Sequence, residues 1–174
     1  LKKTTKKLQI EKNKYKKEKD LLEQGNKYLI NKNILQAIKY YEKLLLFNKN
    51  NIHAINNIAY CYMLQDNYDN SKRYINRAIR IHPKNEFLHF NLGNLYKRFG
   101  KLNLALKSYD KAISFNSDNP NFQFNKSYVL LKKKLYRDAW RLYDNRIMAE
   151  YTNTKIFKLI EKNIYKKKKK KKKK

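Results

Sequence analysis

The chain has 174 residues, with 43 Lys and Arg against 14 Asp and Glu, a net charge of +29, and only 3 Gly, 2 Pro and 1 Cys. So few glycines supply no GxGxxG or GxxxxGK phosphate loop, and one cysteine excludes both an internal disulfide framework and a Cys-based zinc finger. The scarcity of Gly and Pro speaks against a turn-rich all-β sandwich, and no run approaches the roughly 18 apolar residues of a membrane span.

Residues 1–17 form a basic lead with eight Lys and one Glu. Self-repulsion predicts that it stays disordered or extends the first helix weakly. It opens on Leu1 rather than Met, which reads as a fragment of a longer chain. Four blocks of 34 residues follow, at 18–51, 52–85, 86–119 and 120–153. Each holds two amphipathic stretches of about 14 residues with apolar positions at i, i+3, i+4 and i+7. Ser117-Asp118-Asn119 before Pro120 marks a capped helix start, and Gly100 suits an inter-helix turn. Residues 154–165 place Phe157, Ile160 and Ile164 at helical spacing among Lys and Glu, which predicts a ninth, capping helix. Residues 166–174 are an unbroken lysine run, expected to be disordered. With 23 Asn and abundant Lys, Ile and Tyr, the charged ends also fit a simple bias toward residues with A/T-rich codons.

The blocks agree in phase. Position eight is always small (Gly25, Ala59, Gly93, Ser127), as is position twenty (Ala37, Ser71, Ala105, Ala139). Position eleven holds Tyr28, Tyr62, Tyr96 and Leu130, and position twenty-four holds Tyr41, Ile75, Tyr109 and Tyr143. Small residues let the two helices of a hairpin approach closely, and the large ones fill the space beside them. Much of the content of 15 Tyr is therefore packing. Position twenty-seven reads Leu44, Ala78, Ala112 and Arg146, so packing around Leu44 and Arg146 is expected to be looser.

This pattern resembles the tetratricopeptide repeat (TPR) family over residues 18–153, best in the third block, where Asn91-Leu92-Gly93-Asn94-Leu95-Tyr96 precedes Gly100, Ala105, Tyr109 and Ala112. The resemblance implies an all-α, right-handed superhelical solenoid of antiparallel helix pairs. It also implies a concave wall lined by the first helix of each pair, at positions two, five, six, nine, twelve and thirteen. Those positions give His53, Phe87 and Asn121; Asn56, Phe90 and Phe124; Asn57, Asn91 and Asn125; Asn26, Tyr60, Asn94 and Tyr128; and Lys97, Arg98 and Lys132. A carboxamide both donates and accepts, so the column Asn57, Asn91, Asn125 could grip the backbone of an extended peptide. It looks like the asparagine ladder of the TPR superhelix in O-GlcNAc transferases. Phe90, Phe124, Tyr60 and Tyr128 are its candidate anchors, with packing inside the repeat as their other reading. The dicarboxylate clamp of chaperone-binding TPR domains does not fit, because Leu22, Phe87 and Asn91 stand where that clamp has cations. Residues 139–146 more faintly resemble the last repeats of bacterial TPR proteins that continue into glycosyltransferase domains, with Trp140 and Tyr143 covering the end of the array.

Sites for chemistry are not legible. Cys61, beside Tyr60 and Tyr62, reads as a buried, inert thiol. His53, His82 and His89 have no zinc spacing, and the acidic residues are too scattered to nominate an acid–base pair. No enzyme activity, metal or cofactor is expected. The reading is a protein-interaction scaffold whose groove (His53, Asn56, Asn57, Tyr60, Phe87, Phe90, Asn91, Asn94, Arg98, Phe124, Asn125, Tyr128) takes a peptide or helix of another protein. Its alternatives are an RNA or anionic-surface binder acting through the basic ends, or the regulatory array of a larger enzyme such as a glycosyltransferase. A reduced thiol and the lack of a span suggest the cytoplasm.

Overall fold

The computed structural model describes residues 2–151, with side chains from residue 8 to 143 except Ile10. Eight helices follow one another: α1 Lys2–Ile30, α2 Ile34–Phe47, α3 Ile52–Leu64, α4 Tyr68–Ile81, α5 Glu86–Arg98, α6 Leu102–Phe115, α7 Pro120–Lys132 and α8 Tyr136–Tyr151. The capping helix expected at 154–165 and the lysine tail lie outside the described residues. The lead is helical rather than disordered, since α1 begins at Lys2. Residues 2–17 contain no Gly or Pro, and half of them are Lys, a good helix former. A helix also spreads their charge over about 24 Å.

Asparagine starts most of these helices. The side chains of Asn33, Asn51, Asn67, Asn85 and Asn119 accept backbone N–H bonds as the N-caps of α2, α3, α4, α5 and α7, while Lys101 before α6 makes no such bond. Five of the 23 asparagines are thus spent on helix starts.

Each hairpin turns at position fifteen. Lys32, Asp66, Gly100 and Lys134 all take left-handed backbone, with φ of 59°, 55°, 69° and 61°. The next residue's N–H then donates back to the helix that has just ended. Asn33 reaches the Tyr28 carbonyl at 2.9 Å, Asn67 reaches Tyr62 at 2.9 Å, Lys101 reaches Tyr96 at 2.8 Å and Leu135 reaches Leu130 at 3.0 Å. This satisfies carbonyls that a helix end leaves open.

The small residues lie where the helices meet. Ala37, Ser71, Ala105 and Ala139 are fully buried, as are Ser127 and, within 1%, Ala59. A Cβ on Gly25 would come within 2.4 Å of the Tyr41 ring, and one on Gly93 within 2.5 Å of Tyr109. Tyr28 stacks on Tyr40 with centroids 5.2 Å apart, and Tyr62 stacks on Tyr74 at 5.7 Å. The looseness expected at Leu44 is absent. Leu44 is fully buried in a cluster whose small members Ala37 and Ala54 give it room. Arg146 lies beyond the described side chains.

Curvature follows from which helices touch. Successive odd-numbered helices, α1 with α3, α3 with α5 and α5 with α7, make contact, whereas among the described residues no two even-numbered helices do. The odd helices therefore form the inner, concave wall and the even ones splay apart outside it.

Substitutions at two positions of the repeat test this geometry. Gly25→Ala should cost about 1–3 kcal/mol, because the Tyr41 ring is packed on all sides and cannot yield. Lys134→Gly should stabilise by up to about 1 kcal/mol by relieving a left-handed non-glycine residue, with Gly100→Ala losing a similar amount. Urea midpoints at constant m-value read both, and the reverse order at position fifteen would refute the turn.

Candidate functional site: the concave face

The inner wall is built from α1, α3, α5 and α7, so residues 34 apart recur along it. The sequence reading gives the asparagine column as open donors and acceptors. The structure places its amides in bonds that run between neighbouring inner helices. Asn57 Nδ2 donates to Asn26 Oδ1 at 3.0 Å, joining α3 to α1. Asn91 Nδ2 donates to Asn56 Oδ1 at 2.8 Å, joining α5 to α3. Lys97 Nζ donates to Asn125 Oδ1 at 2.5 Å, joining α5 to α7, and Asn125 Nδ2 donates to the Asn121 carbonyl at 2.9 Å. The column is thus first a set of stitches between repeats. Capacity is left open within it at Asn91 and beside it at Asn56, where the Asn91 carbonyl and the Asn56 amide make no bond among the described residues.

Asn26 and Asn94 have a second duty. The Tyr41 hydroxyl donates to Asn26 Oδ1 at 2.8 Å, and the Tyr109 hydroxyl donates to Asn94 Oδ1 at 2.7 Å. Burial pushes the Tyr41 phenol up to about 12, helped by the neighbouring Cys61 thiol and partly offset by a hydrogen bond with Asn57. Burial alone pushes Cys61 up to about 11, so this fully buried thiol is held protonated and unreactive. The Tyr109 phenol is raised further, also by burial.

The aromatic candidates separate into two groups. Phe90 lies half-buried between Tyr109 and Phe122, at 5.7 and 4.9 Å between centroids, and Phe124 lies half-buried 5.6 Å from Tyr143. Both are packing residues. Tyr60, Tyr128 and Phe87 keep 45, 45 and 51% of their surface exposed, although Phe87 rests edge-on against Phe122. Arg98 is engaged with Asp66 at 2.8 Å. His53 is exposed at the start of α3.

Three hollows lie along the wall. One of about 320 Å³ brings together His53, Asn56, Phe87 and Asn91 with Ile52, Asn85 and Leu88. A small one of about 50 Å³ adjoins Asn56, Tyr60, Asn91 and Asn94. The third, about 590 Å³, is bordered by Leu29, Ile30, Lys32, Ile34, Tyr60 and Leu64. Its apolar residues are absent from the sequence-based site. The signal was available, since Leu29, Ile30 and Leu64 occupy positions twelve and thirteen, the same positions as Lys97 and Arg98. Lys97 is half-buried, and its ammonium is held below the usual lysine range by burial and then by Lys132.

Comparison with known proteins points one way. The tetratricopeptide repeat pattern matches residues 52–85 and 87–119. A small glutamine-rich tetratricopeptide repeat-containing protein of Saccharomyces cerevisiae is 32% identical over 120 residues, 68% of this chain and 34% of that protein. MamA from Desulfovibrio magneticus RS-1 superposes with a TM-score of 0.67 at 13% identity, covering 78% of this chain and 77% of that one. The O-GlcNAc transferase of Thermobaculum terrenum gives 0.63 at 19% identity, covering 67% of this chain and 22% of the enzyme. The chain spans about a quarter to a third of the length of the curated relatives it matches. Among the described residues no helix is long and apolar enough to cross a membrane.

The buried phenol and thiol fix a pH dependence. Folding favours their neutral forms, so the native chain holds both protons more tightly than the unfolded one. Their contribution is complete below the ordinary values of 9.0 and 10.0 and is lost as pH rises towards 11 for Cys61 and 12 for Tyr41. The thermal midpoint should therefore be level up to about pH 9 and fall beyond it. Tyr41→Phe should cost about 1 kcal/mol at neutral pH and make the decline above pH 10 shallower. An unaltered alkaline slope would show that the phenol is not buried as described.

Proposed function

The chain belongs to the tetratricopeptide repeat family, a family of protein-interaction scaffolds, and we propose that it holds an extended peptide of another protein along its concave face. The observation that carries this reading is the hollow of about 320 Å³ where the exposed Phe87 ring meets the Asn56–Asn91 pair. A side chain set against Phe87 loses water to an apolar surface. The Asn56 amide and the Asn91 carbonyl, unbonded among the described residues, offer a donor and an acceptor to a peptide unit in that hollow. Such recognition reads backbone and one anchor, so it fits loosely specified segments. The function needs no catalytic group, metal or cofactor. A cytoplasmic location agrees with a single reduced thiol. The likeness to the transferase is one of fold and brings no activity to this chain.

A second reading rests on α1. Its residues 8, 9 and 11–17 are exposed, and Lys12, Lys14 and Lys16 meet no carboxylate among the described residues. A projecting helix with this charge would attract a nucleic-acid backbone, whose affinity is set by counterion release.

The two readings separate experimentally. A random dodecapeptide phage library panned on the full chain at about 0.3 M salt, where surface charge is largely screened, should yield binding peptides. Asn91→Ala with Phe87→Ala should weaken them roughly tenfold, about 1.4 kcal/mol, with helicity unchanged. Equal binding by the variant would remove this groove. For the second reading, anisotropy with oligo(U) should show affinity falling linearly in log–log salt plots. Lys12, Lys14 and Lys16 changed together to Gln should lower the slope by about two, roughly 0.7 for each contact. An unchanged slope would exclude the arm.

A further inference from the structure

The inner wall changes character along its length at a single pair of positions. Positions twelve and thirteen are Leu29 and Ile30 on α1, Met63 and Leu64 on α3, Lys97 and Arg98 on α5, and Leu131 and Lys132 on α7. The first two pairs are apolar. Ile30 is 80% exposed and Leu64 37% exposed, and with Tyr60 they border the hollow of about 590 Å³. The last two pairs supply cations. Arg98 is already matched by Asp66. Lys97 and Lys132 are not matched. Their ammoniums lie 5.6 and 5.2 Å from the centroid of one ring, Tyr128, and among the described residues neither pairs with a carboxylate.

Two ammoniums converging on one ring repel each other, and Lys97 is half out of water as well. The ring face and the Asn125 carbonyl supply only partial negative charge. A carboxylate beside them would accept charge-assisted bonds and offset the repulsion. We propose that the concave face takes a bipartite peptide, with an apolar side chain in the hollow between α1 and α3 and an Asp or Glu carboxylate on the Lys97–Lys132 pair. This rests on the peptide-groove reading and gives it a sequence preference. Packed helices lie about 10 Å apart, which puts the seam of α5 and α7 about 20 Å from the seam of α1 and α3. An extended chain advances about 3.3 Å per residue, so the apolar and acidic residues should stand roughly five to seven positions apart. The site is also distinct from the chaperone clamp, whose cationic positions here hold Leu22, Phe87 and Asn91.

The test uses the same dodecapeptide library on the full chain and on two charge-matched variants, Lys97→Gln with Lys132→Gln, and Lys12→Gln with Lys14→Gln. Wild type should select peptides with Leu, Phe or Met roughly five to seven positions from Asp or Glu. The best of these, synthesised and measured by anisotropy, should bind the Lys97/Lys132 variant at least tenfold more weakly and the Lys12/Lys14 variant equally. Replacing its acid by Asn should cost wild type the same factor and cost the Lys97/Lys132 variant nothing. Peptides selected without an acid, or an acid preference that survives in the Lys97/Lys132 variant or vanishes in the Lys12/Lys14 variant, would overturn the inference and leave the groove standing. A library that yields no binding peptide would remove both.

Discussion

The array depends on a tyrosine ring lying directly on a glycine. At Gly25 and Gly93 the helices of a hairpin come so close that a methyl group would overlap Tyr41 or Tyr109. The ring fills the contact, and its hydroxyl must then find a partner inside a dry interface, where an unbonded phenol would cost a few kcal/mol. Asn26 and Asn94, each one residue after the glycine, supply that partner. Glycine at position eight, asparagine at nine and tyrosine at twenty-four are thus one device, in which each residue is needed because of the other two.

The device appears in the first and third blocks and is missing from the second and fourth. The alternation explains much of the inner wall. In the second block Ile75 replaces the tyrosine, so no hydroxyl needs a partner and position nine is released. Tyr60 takes it and faces the groove, with 45% of its surface exposed. In the fourth block Ser127 replaces the glycine, so the ring of Tyr143 cannot lie there and packs on Phe124 instead. Position nine is again released, to Tyr128. The same pairing of first and third blocks recurs at the helix ends, where Glu18 accepts from Asn48 and Glu86 from Asn116. The structural unit is therefore two repeats long, and the exposed tyrosines of the groove occupy the positions that packing leaves free.

This accounts for what the sequence disclosed. The 34-residue phase and the small–large complementarity across each hairpin were legible because packing requirements repeat in every block. The turn at position fifteen was visible only at Gly100. Lys32, Asp66 and Lys134 adopt the same left-handed backbone without a residue that announces it. The asparagine column was legible as a column, but its bonds were not. A carboxamide looks identical in sequence whether it faces a ligand or a neighbouring helix, and only the spacing of α1, α3 and α5 decides that Asn57 meets Asn26 and Asn91 meets Asn56. Phe90 and Phe124 were indistinguishable from Tyr60 and Tyr128 for the same reason. For the lead, sequence left disorder and an extension of the first helix both open, because charge repulsion and the helix propensity of lysine oppose each other there, and α1 takes the second course from Lys2.

Charge is the remaining constraint. With 43 basic and 14 acidic residues, most cations cannot find a carboxylate, and among the described residues only three ion pairs form. Aromatic faces take up part of the role. Lys17 lies over Phe47, Lys43 over Tyr40 and Lys101 over Tyr68, at 4.4, 5.0 and 3.9 Å from the ring centroids. A ring attracts an ammonium by about 0.5–1 kcal/mol at an exposed site but neutralises none of its charge. The tyrosine-rich composition therefore steadies individual lysines while the whole surface keeps its positive field. Such a surface disfavours basic partners before any contact is made and draws acidic ones towards it. Among the described residues two rings each face two lysines, Tyr68 on the outer helix α4 and Tyr128 on the inner helix α7, and only at Tyr128 does this field gather within the concave face itself. The packing that frees position nine for tyrosine in the fourth block thereby also sets where the proposed acidic side chain of a peptide would rest.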